Sequence, residues 1–175
     1  MILMGALLLL PFFLLRFGLL AVLDRGAVGR AAHFAPLPPG ERGAYWVYQL
    51  ANVGILLDIL FLKVETEPPG LFWAGVALYA GGMALLAASV AAFAAPAADG
   101  FCQRGVYRLS RNPMYLAYFL VFVGFAALGR SPLLLGLTAA FQISAHWIIR
   151  AEERWCAQRF GEAYAQYARR VRRYL

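Results

Sequence analysis

The sequence predicts an all-α, polytopic membrane protein, and three observations support this fold class. Of the 175 residues, 62% are hydrophobic and only 14% are charged, which is more apolar than a soluble domain of this length would be. Five apolar segments approach or exceed the roughly 20 residues that a spanning helix needs. Nearly all Lys and Arg residues fall in alternate connections between these segments. We expect a single membrane domain, 1–175, with an N-terminal three-helix part, 1–98, and a C-terminal part, 99–175.

The five predicted spanning helices are bounded by the ends of the apolar runs. The first lacks a basic leading region and a convincing cleavage pattern, so we interpret it as a helix of the mature protein. The third carries Ala80, Ala84, Ala88 and Ala92 at intervals of four beside Gly75, Gly81 and Gly82, a small-residue pattern that favours helix packing in lipid. The fourth is short, so whether it crosses fully stays open. The bounds are roughly 2–23, 44–62, 71–95, 114–128 and 132–149.

Beyond residue 149 the apolar run ends, but a helical spacing continues. Trp155, Phe160, Tyr164 and Tyr167 recur among charged residues. This spacing predicts that the fifth helix breaks near Gly161 and resumes as an amphipathic cytoplasmic helix on the membrane surface.

The basic residues predict the orientation of the chain. All but Arg16, Lys63 and Arg130 of the 16 Lys and Arg residues lie on the side of the C-terminus. We therefore expect an integral protein of the bacterial inner membrane, with the N-terminus outside and the C-terminus in the cytoplasm. The net charge of +7 then reflects orientation and contact with anionic lipids rather than nucleic-acid binding. Cys102 and Cys156 lack the spacing of a metal site, so no metal is expected.

Polar side chains on three predicted helices reach a similar depth in the membrane. Arg16 lies about 6 Å to the cytoplasmic side of the first helix's midpoint, and Gln49 and His146 come out at similar depth. Each alone could bond to a neighbouring helix or extend to the interface. Their convergence favours a cavity in the cytoplasmic half. Four polar residues of the fifth helix share one face: Gln142, His146, Arg150 and Glu153.

The stretch SRNPMYLAYF, 110–119, stands at the start of the fourth helix. Asn112 is a favoured N-cap and Pro113 suits the first helical position. A hairpin through the short turn GRSP brings this stretch towards Glu152 and Glu153, which follow the fifth span. Carboxylates near a helix C-terminus are disfavoured by the helix dipole. Either the surrounding arginines or a cationic ligand should therefore lie next to them.

The motif GVYRLSRNPMYLA, the glutamate pair and the tail EERWCAQRFGEAYAQYARRVRRYL occur in this order. Together they resemble the isoprenylcysteine carboxyl methyltransferase family, whose wider relatives include phospholipid N-methyltransferases. The resemblance covers roughly 99–175. It implies a membrane-embedded enzyme that binds S-adenosylmethionine in a pocket facing the cytoplasm and methylates a lipophilic acceptor entering from the bilayer.

The resemblance also implies which residues form the site. There are three catalytic candidates. Arg111 would bind an anionic group, His146 would act as a base, and Arg150 would bind the substrate. Helical spacing aligns Glu153 with His146 whereas the family pattern favours Glu152, so both glutamates stay candidates. The expected cofactor-binding residues are Asp99, Gly100, Phe101, Cys102, Tyr107, Asn112, Pro113, Met114, Tyr115, Glu152 and Glu153.

The acceptor stays open at this stage. Relatives that methylate a prenylcysteine carboxylate place a substrate-binding arginine four residues before the first glutamate, and here that position is Ile148. We expect an isoprenylcysteine-type carboxylate or a similar lipid-like substrate, with phosphatidylethanolamine-type N-methylation as the alternative. A membrane sterol reductase and a non-enzymatic scaffold or binding protein are alternatives of other classes. Expected partners are the lipophilic or lipid substrate and membrane lipids, without nucleic acid or an obligate protein partner.

Overall fold

Five helices form most of the described chain. The computed structural model describes residues 4–24, 35–95 and 100–175. Short 3-10 turns, Pro39–Glu41 and Gly105–Arg108, precede the second and fourth helices. The helices are α1, Gly5–Leu23; α2, Arg42–Phe61; α3, Pro69–Ala94; α4, Pro113–Leu128; and α5, Pro132–Arg170.

The predicted fold class, an all-α polytopic membrane protein, is confirmed. Helices α1, α2, α3 and α5 are long and apolar enough to cross a membrane, whereas α4 has only 16 residues. Large apolar side chains point outward, such as Leu14 with 67% and Trp46 with 63% of its surface exposed. Such a surface suits a lipid environment rather than water.

Helix α4 is the shortest of the five helices and the most enclosed by its neighbours. Half of it is buried, including Val121, Phe122 and Phe125, and it packs against both α3 and α5. Enclosure by neighbours makes its length less dependent on the thickness of the bilayer. The fourth apolar run is therefore a central packing element.

Helix α1 contains an irregular turn in the middle of its apolar run. Leu14–Leu19 are π-helical, and Arg16 lies inside this segment. The Arg16 guanidinium carbon lies 5.9 Å from the centroid of the Tyr118 ring on α4. Wider π-helical turns frequently occur at functional sites, because they redirect a side chain. Here the turn carries the charged residue of α1 that reaches α4.

Glycines set the close approach of α3 and α4. A Cβ on Gly82 would lie 2.8 Å from the backbone nitrogen of Val121. Within the predicted small-residue pattern the glycines form the contact: Gly75 and Gly82 lie against α4, whereas Ala80, Ala84 and Ala88 are exposed. Residues two positions apart on a helix differ by about 200° in direction, so Ala80 and Gly82 face opposite sides.

Replacing Gly82 by Ala is expected to destabilise the bundle by about 1–3 kcal/mol, the usual cost of overpacking. Adjacent Gly81 is the matched control, because no atom lies within 4 Å of a Cβ at that position. The measurement is the thermal midpoint of the purified protein in detergent. Equal midpoints for Gly82→Ala and Gly81→Ala would contradict this packing assignment.

The hairpin between α4 and α5 is held by Ser131. Its hydroxyl accepts a hydrogen bond from the Leu134 amide at 3.0 Å, which caps α5, and donates to Asp58 Oδ2 of α2 at 3.1 Å. Pro132 occupies the first position of α5. The turn therefore places the start of α4 and the far part of α5 at the same end of the bundle.

Helix α5 continues well past its apolar run and contains one non-helical residue. Gly161 has φ 55° and ψ −131°, a conformation that L side chains rarely adopt. The predicted break near this residue is confirmed. Beyond it Tyr164 and Tyr167 are buried, and the chain ends in an irregular tail, 171–175. The amphipathic part therefore folds over this end of the bundle.

Candidate active site

Glu153 is bound by two arginines from different parts of the chain. Its Oε1 accepts from Arg111 Nε at 3.0 Å, and its Oε2 accepts from Arg173 Nε at 2.9 Å and Nη2 at 2.8 Å. Asn112 Nδ2 approaches Oε1 at 3.4 Å. Because both oxygens of this carboxylate are occupied, Glu153 is part of a structural ion cluster.

The same cluster holds the tail against the start of α4. Arg111 Nη1 donates to the Ala168 carbonyl at 2.7 Å, and the Arg111 amide donates to the Arg172 carbonyl at 2.9 Å. Asn112 Nδ2 donates to the Arg173 carbonyl at 3.1 Å. Arg111 and Asn112 therefore connect the two ends of the α4–α5 hairpin.

The predicted N-cap position of Asn112 is confirmed, but its side chain is used elsewhere. Asn112 does occupy the N-cap position of α4, but its side chain makes no capping hydrogen bond. The amide is used instead by Glu153 and the tail. Its own backbone N–H donates to the Ser110 hydroxyl at 3.1 Å. Tertiary contacts thus displaced a local bond that the sequence pattern favours.

Glu152 faces a different environment from Glu153. Successive residues of a helix differ by about 100° in direction, so the two side chains cannot share one site. Glu152 Oε1 accepts from the Tyr115 hydroxyl at 3.0 Å, and among the described residues Glu152 forms no ion pair. Arg16 and Glu153 are the charged groups that act on it electrostatically. Glu152 is therefore the carboxylate of the pair without an arginine ion pair in the described part of the chain.

Aromatic rings lie between Glu152 and the apolar core. The Tyr115 and Tyr118 centroids are 6.2 Å apart, and Tyr118 stacks on Phe122 at 6.4 Å. The Tyr118 hydroxyl lies beside Arg16, whereas Gln142 Oε1 is buried without a hydrogen-bond partner among the described residues. Buried polar atoms are normally satisfied, so this amide oxygen indicates a polar ligand or water next to it.

A second aromatic cluster joins the segment that precedes α4 to the far part of α5. The Phe101 ring centroid lies 5.0 Å from that of Phe160, 5.3 Å from Tyr164 and 5.6 Å from Tyr167. Gly100 has φ 81°, and a Cβ there would lie 2.8 Å from the Phe160 ring. Glycine is thus required where the predicted cofactor-binding segment, 100–102, packs against Phe160 of α5.

Two further residues of the predicted cofactor-binding set, Cys102 and Tyr107, are held in place by hydrogen bonds that involve a backbone carbonyl. Cys102 Sγ donates to the Ala92 carbonyl at 3.1 Å, and burial raises the pKa of its thiol. A neutral thiol is a poor nucleophile, so Cys102 is not a candidate for covalent catalysis. The Tyr107 carbonyl accepts from the Tyr167 hydroxyl at 2.7 Å, and burial raises the pKa of Tyr107.

Several predicted site residues lie elsewhere. His146 Nδ1 is 2.9 Å from the Tyr174 hydroxyl of the tail, and Arg150 is exposed on another face of α5. Pro113 is buried at the start of α4, and Met114 packs partly buried against the core. Asp99 lies outside the described residues.

Sequence reasoning missed two groups that complete this arrangement. In the sequence, nothing distinguishes Arg173 from its neighbour Arg172. Only the path of the folded tail determines that Arg173 forms the ion pair with Glu153. Tyr118 could have been found, since it lies three residues after Tyr115 and hence on the same helical face.

A comparison of the sequence with known families identifies the family of this chain. A family model described as phospholipid methyltransferase matches residues 71–163, more than half of the chain. The match spans α3, α4 and α5 to just past Gly161, and so includes both glutamates and the SRNPMY stretch. No curated protein and no solved structure matches the chain. The resemblance seen in the sequence is confirmed, and the matched region begins earlier than residue 99. The chain therefore belongs to the phospholipid methyltransferase family of integral-membrane methyltransferases, which includes the isoprenylcysteine carboxyl methyltransferases.

Proposed function

We propose that the protein transfers a methyl group from S-adenosylmethionine to a lipophilic acceptor at the membrane face that carries the tail. Family membership supports methyl transfer in a membrane. The observation that carries the proposal is Glu152, a carboxylate outside any ion pair of the described residues, bonded to Tyr115 where the apolar bundle meets its polar end.

The residues present fit S-adenosylmethionine by their chemistry. The cofactor combines a sulfonium and an ammonium with a carboxylate and an adenine. Glu152 offers an anion for its cationic part, and aromatic rings such as Tyr115 and Phe101 offer faces for a cation or the adenine. Gly100 and Cys102 add a wall of backbone and small side chains. When bound, the cofactor supplies an electrophilic methyl group.

The chain's own residues orient the reactants and exclude water. The Tyr115 hydroxyl fixes the rotamer of Glu152 through their 3.0 Å bond. The cluster of Arg111, Glu153 and Arg173 closes the polar end by holding the tail in place. On the other side, rings of α4 and α5 form an apolar surface. Positioning and a dry site are the main contributions that a protein makes to such a transfer.

The acceptor would bind on the bundle side of Glu152, reached from the lipid. Arg16, within the π-helical turn of α1, and Tyr118 are the polar groups there. Charged side chains at this depth usually serve a site or a cavity, because they are costly in lipid. Arg16 would be the residue that binds an acceptor carboxylate, since it already acts electrostatically on Glu152.

One observation favours N-methylation of a phosphatidylethanolamine-type headgroup as a second candidate. Ile148, at the position of the substrate-binding arginine in carboxylate-methylating relatives, is 1% exposed within the core. Exposed Arg150 faces elsewhere. An amine acceptor must lose a proton before it attacks, and His146, held by Tyr174 at 2.9 Å, is the candidate base.

The test is calorimetric titration of S-adenosylmethionine into the detergent-solubilised protein, followed by transfer of labelled methyl groups. A dissociation constant of about 1 μM to 1 mM is expected, the usual range for enzyme substrates. Prenylcysteine and phosphatidylethanolamine acceptors are then compared side by side. Absence of both binding and labelled product with either acceptor would contradict the proposal.

A further inference from the structure

A cavity on another side of α5 is separate from Glu152 and Tyr115. Its volume is about 350 Å³, and charged side chains and Tyr164 line it together with three alanines. Neither Glu152 nor any residue from 100 to 115 contributes to its wall. The charged residues are Arg150, Glu153, Arg154 and Arg173. We call it the arginine cavity.

The arginine cavity has an excess of positive charge. Glu153 is shared by Arg173 and Arg111, and Glu41 accepts two hydrogen bonds from Arg154. Arg150 lines the cavity as well and acts on Glu41 only electrostatically. Three guanidinium groups and one carboxylate thus line the cavity, and the outer partners Arg111 and Glu41 add one charge of each sign. This balance favours an anionic ligand.

Arg150 is the group best placed to bind that ligand. It is exposed, and it forms no hydrogen bond or ion pair with any other residue that the structure describes. A guanidinium presents several N–H donors in a fixed plane and matches two oxygens of a phosphate. The Tyr164 side chain, which also lines the cavity, adds a neutral polar group.

The position of the cavity along α5 matches the level of lipid headgroups. Arg150 directly follows an apolar run of α5 that starts at Pro132. This run spans about 27 Å at 1.5 Å per residue, close to the thickness of the hydrocarbon core. Trp155, at 36% exposure, lies one turn further on, as aromatic residues at an interface do.

We propose that the arginine cavity binds the phosphate of an anionic phospholipid, with the acyl chains left in the bilayer beside α5. The lipid would bridge Arg150 to Arg154 and Arg173. Arg154 is bonded to Glu41, just before α2, and Arg173 belongs to the tail. A lipid bound there would hold these three parts of the chain together. The proposal does not depend on the identity of the methyl donor or acceptor.

The test compares ligands by thermal unfolding and native mass spectrometry of the full chain in neutral detergent. The probes are phosphatidylglycerol, neutral phosphatidylcholine and inorganic phosphate. Phosphatidylglycerol is expected to raise the unfolding temperature and to stay bound, and the other two probes are not. Arg150→Gln should weaken phosphatidylglycerol binding about tenfold or more, because a bond to a charged group is lost, and Arg150→Lys should weaken it less.

Arg159→Gln is the matched control, because Arg159 is an exposed arginine of α5 outside the cavity wall. Equal losses in Arg150→Gln and Arg159→Gln would show attraction by net charge alone and overturn the proposal. Equal stabilisation by inorganic phosphate would overturn the assignment to a lipid. Displacement of phosphatidylglycerol by S-adenosylmethionine would assign the cavity to the cofactor and overturn it as well.

Discussion

Replacing Glu152 by Gln is expected to raise the dissociation constant of S-adenosylmethionine by about 10- to 100-fold, because a hydrogen bond to a charged group is worth about 1.5–3 kcal/mol. Glutamine keeps the shape and can still accept from the Tyr115 hydroxyl, which bonds Glu152 at 3.0 Å. The change therefore removes the charge and leaves the packing. The measurement is calorimetric titration, with methyl transfer as a second readout.

Tyr115→Phe separates the charge of Glu152 from its orientation. It removes the 3.0 Å bond to Glu152 but leaves the carboxylate. A smaller loss of affinity is expected, about 0.5–1.5 kcal/mol for one hydrogen bond, or a few-fold. If Glu152→Gln binds S-adenosylmethionine as wild type does while both proteins remain folded, Glu152 does not bind the cofactor.

Replacing Glu153 by Gln is expected to lower stability by about 2–4 kcal/mol. Breaking a buried ion pair costs about 3–5 kcal/mol, because the remaining charge stays desolvated. The Arg111 side chain is only 12% exposed, but that of Arg173 is 35% exposed, so water compensates part of the loss. The measurement is the free energy or midpoint of unfolding in detergent.

A second ion pair of the same helix provides the control for Glu153. Glu162 and Arg169 are paired with side chains that are 68% and 64% exposed. Water and salt screen exposed pairs, so Glu162→Gln should have little effect on stability. Limited proteolysis should also cut the tail faster in Glu153→Gln. Equal stability of the two variants would contradict a structural role for Glu153.

Much of the fold could be predicted from the sequence because a membrane leaves few alternatives. A backbone in lipid must satisfy its own hydrogen bonds, so long apolar runs become helices. The break at Gly161 was also predictable, since this glycine interrupts a spacing that resumes with Tyr164 and Tyr167. The face by which α3 meets α4 was not, because alanine and glycine rows look alike in the sequence.

The two glutamates show where sequence reasoning on the site ended. Spacing showed that Glu152 and Glu153 point in different directions, and the family pattern favoured the first. Which one has an arginine partner depends on the path of the tail, which returns from beyond Gly161 to Arg111. That return path is a long-range contact without a local signal in the chain.

Composition, hydropathy and motif order alone indicate a helical membrane protein of a methyltransferase family, with its candidate site residues around the last hairpin. Hydropathy and motif spacing are local properties, and they suffice for helices and for membership of a family. Only the tertiary structure decided the roles of individual charges. Arg111, just before α4, and Arg173 of the tail neutralise Glu153, Arg150 lines a separate cavity, and Glu152 is left beside Tyr115. A charge becomes structural or available according to which partners folding brings within about 4 Å, because Coulomb energy falls with distance and is screened by water.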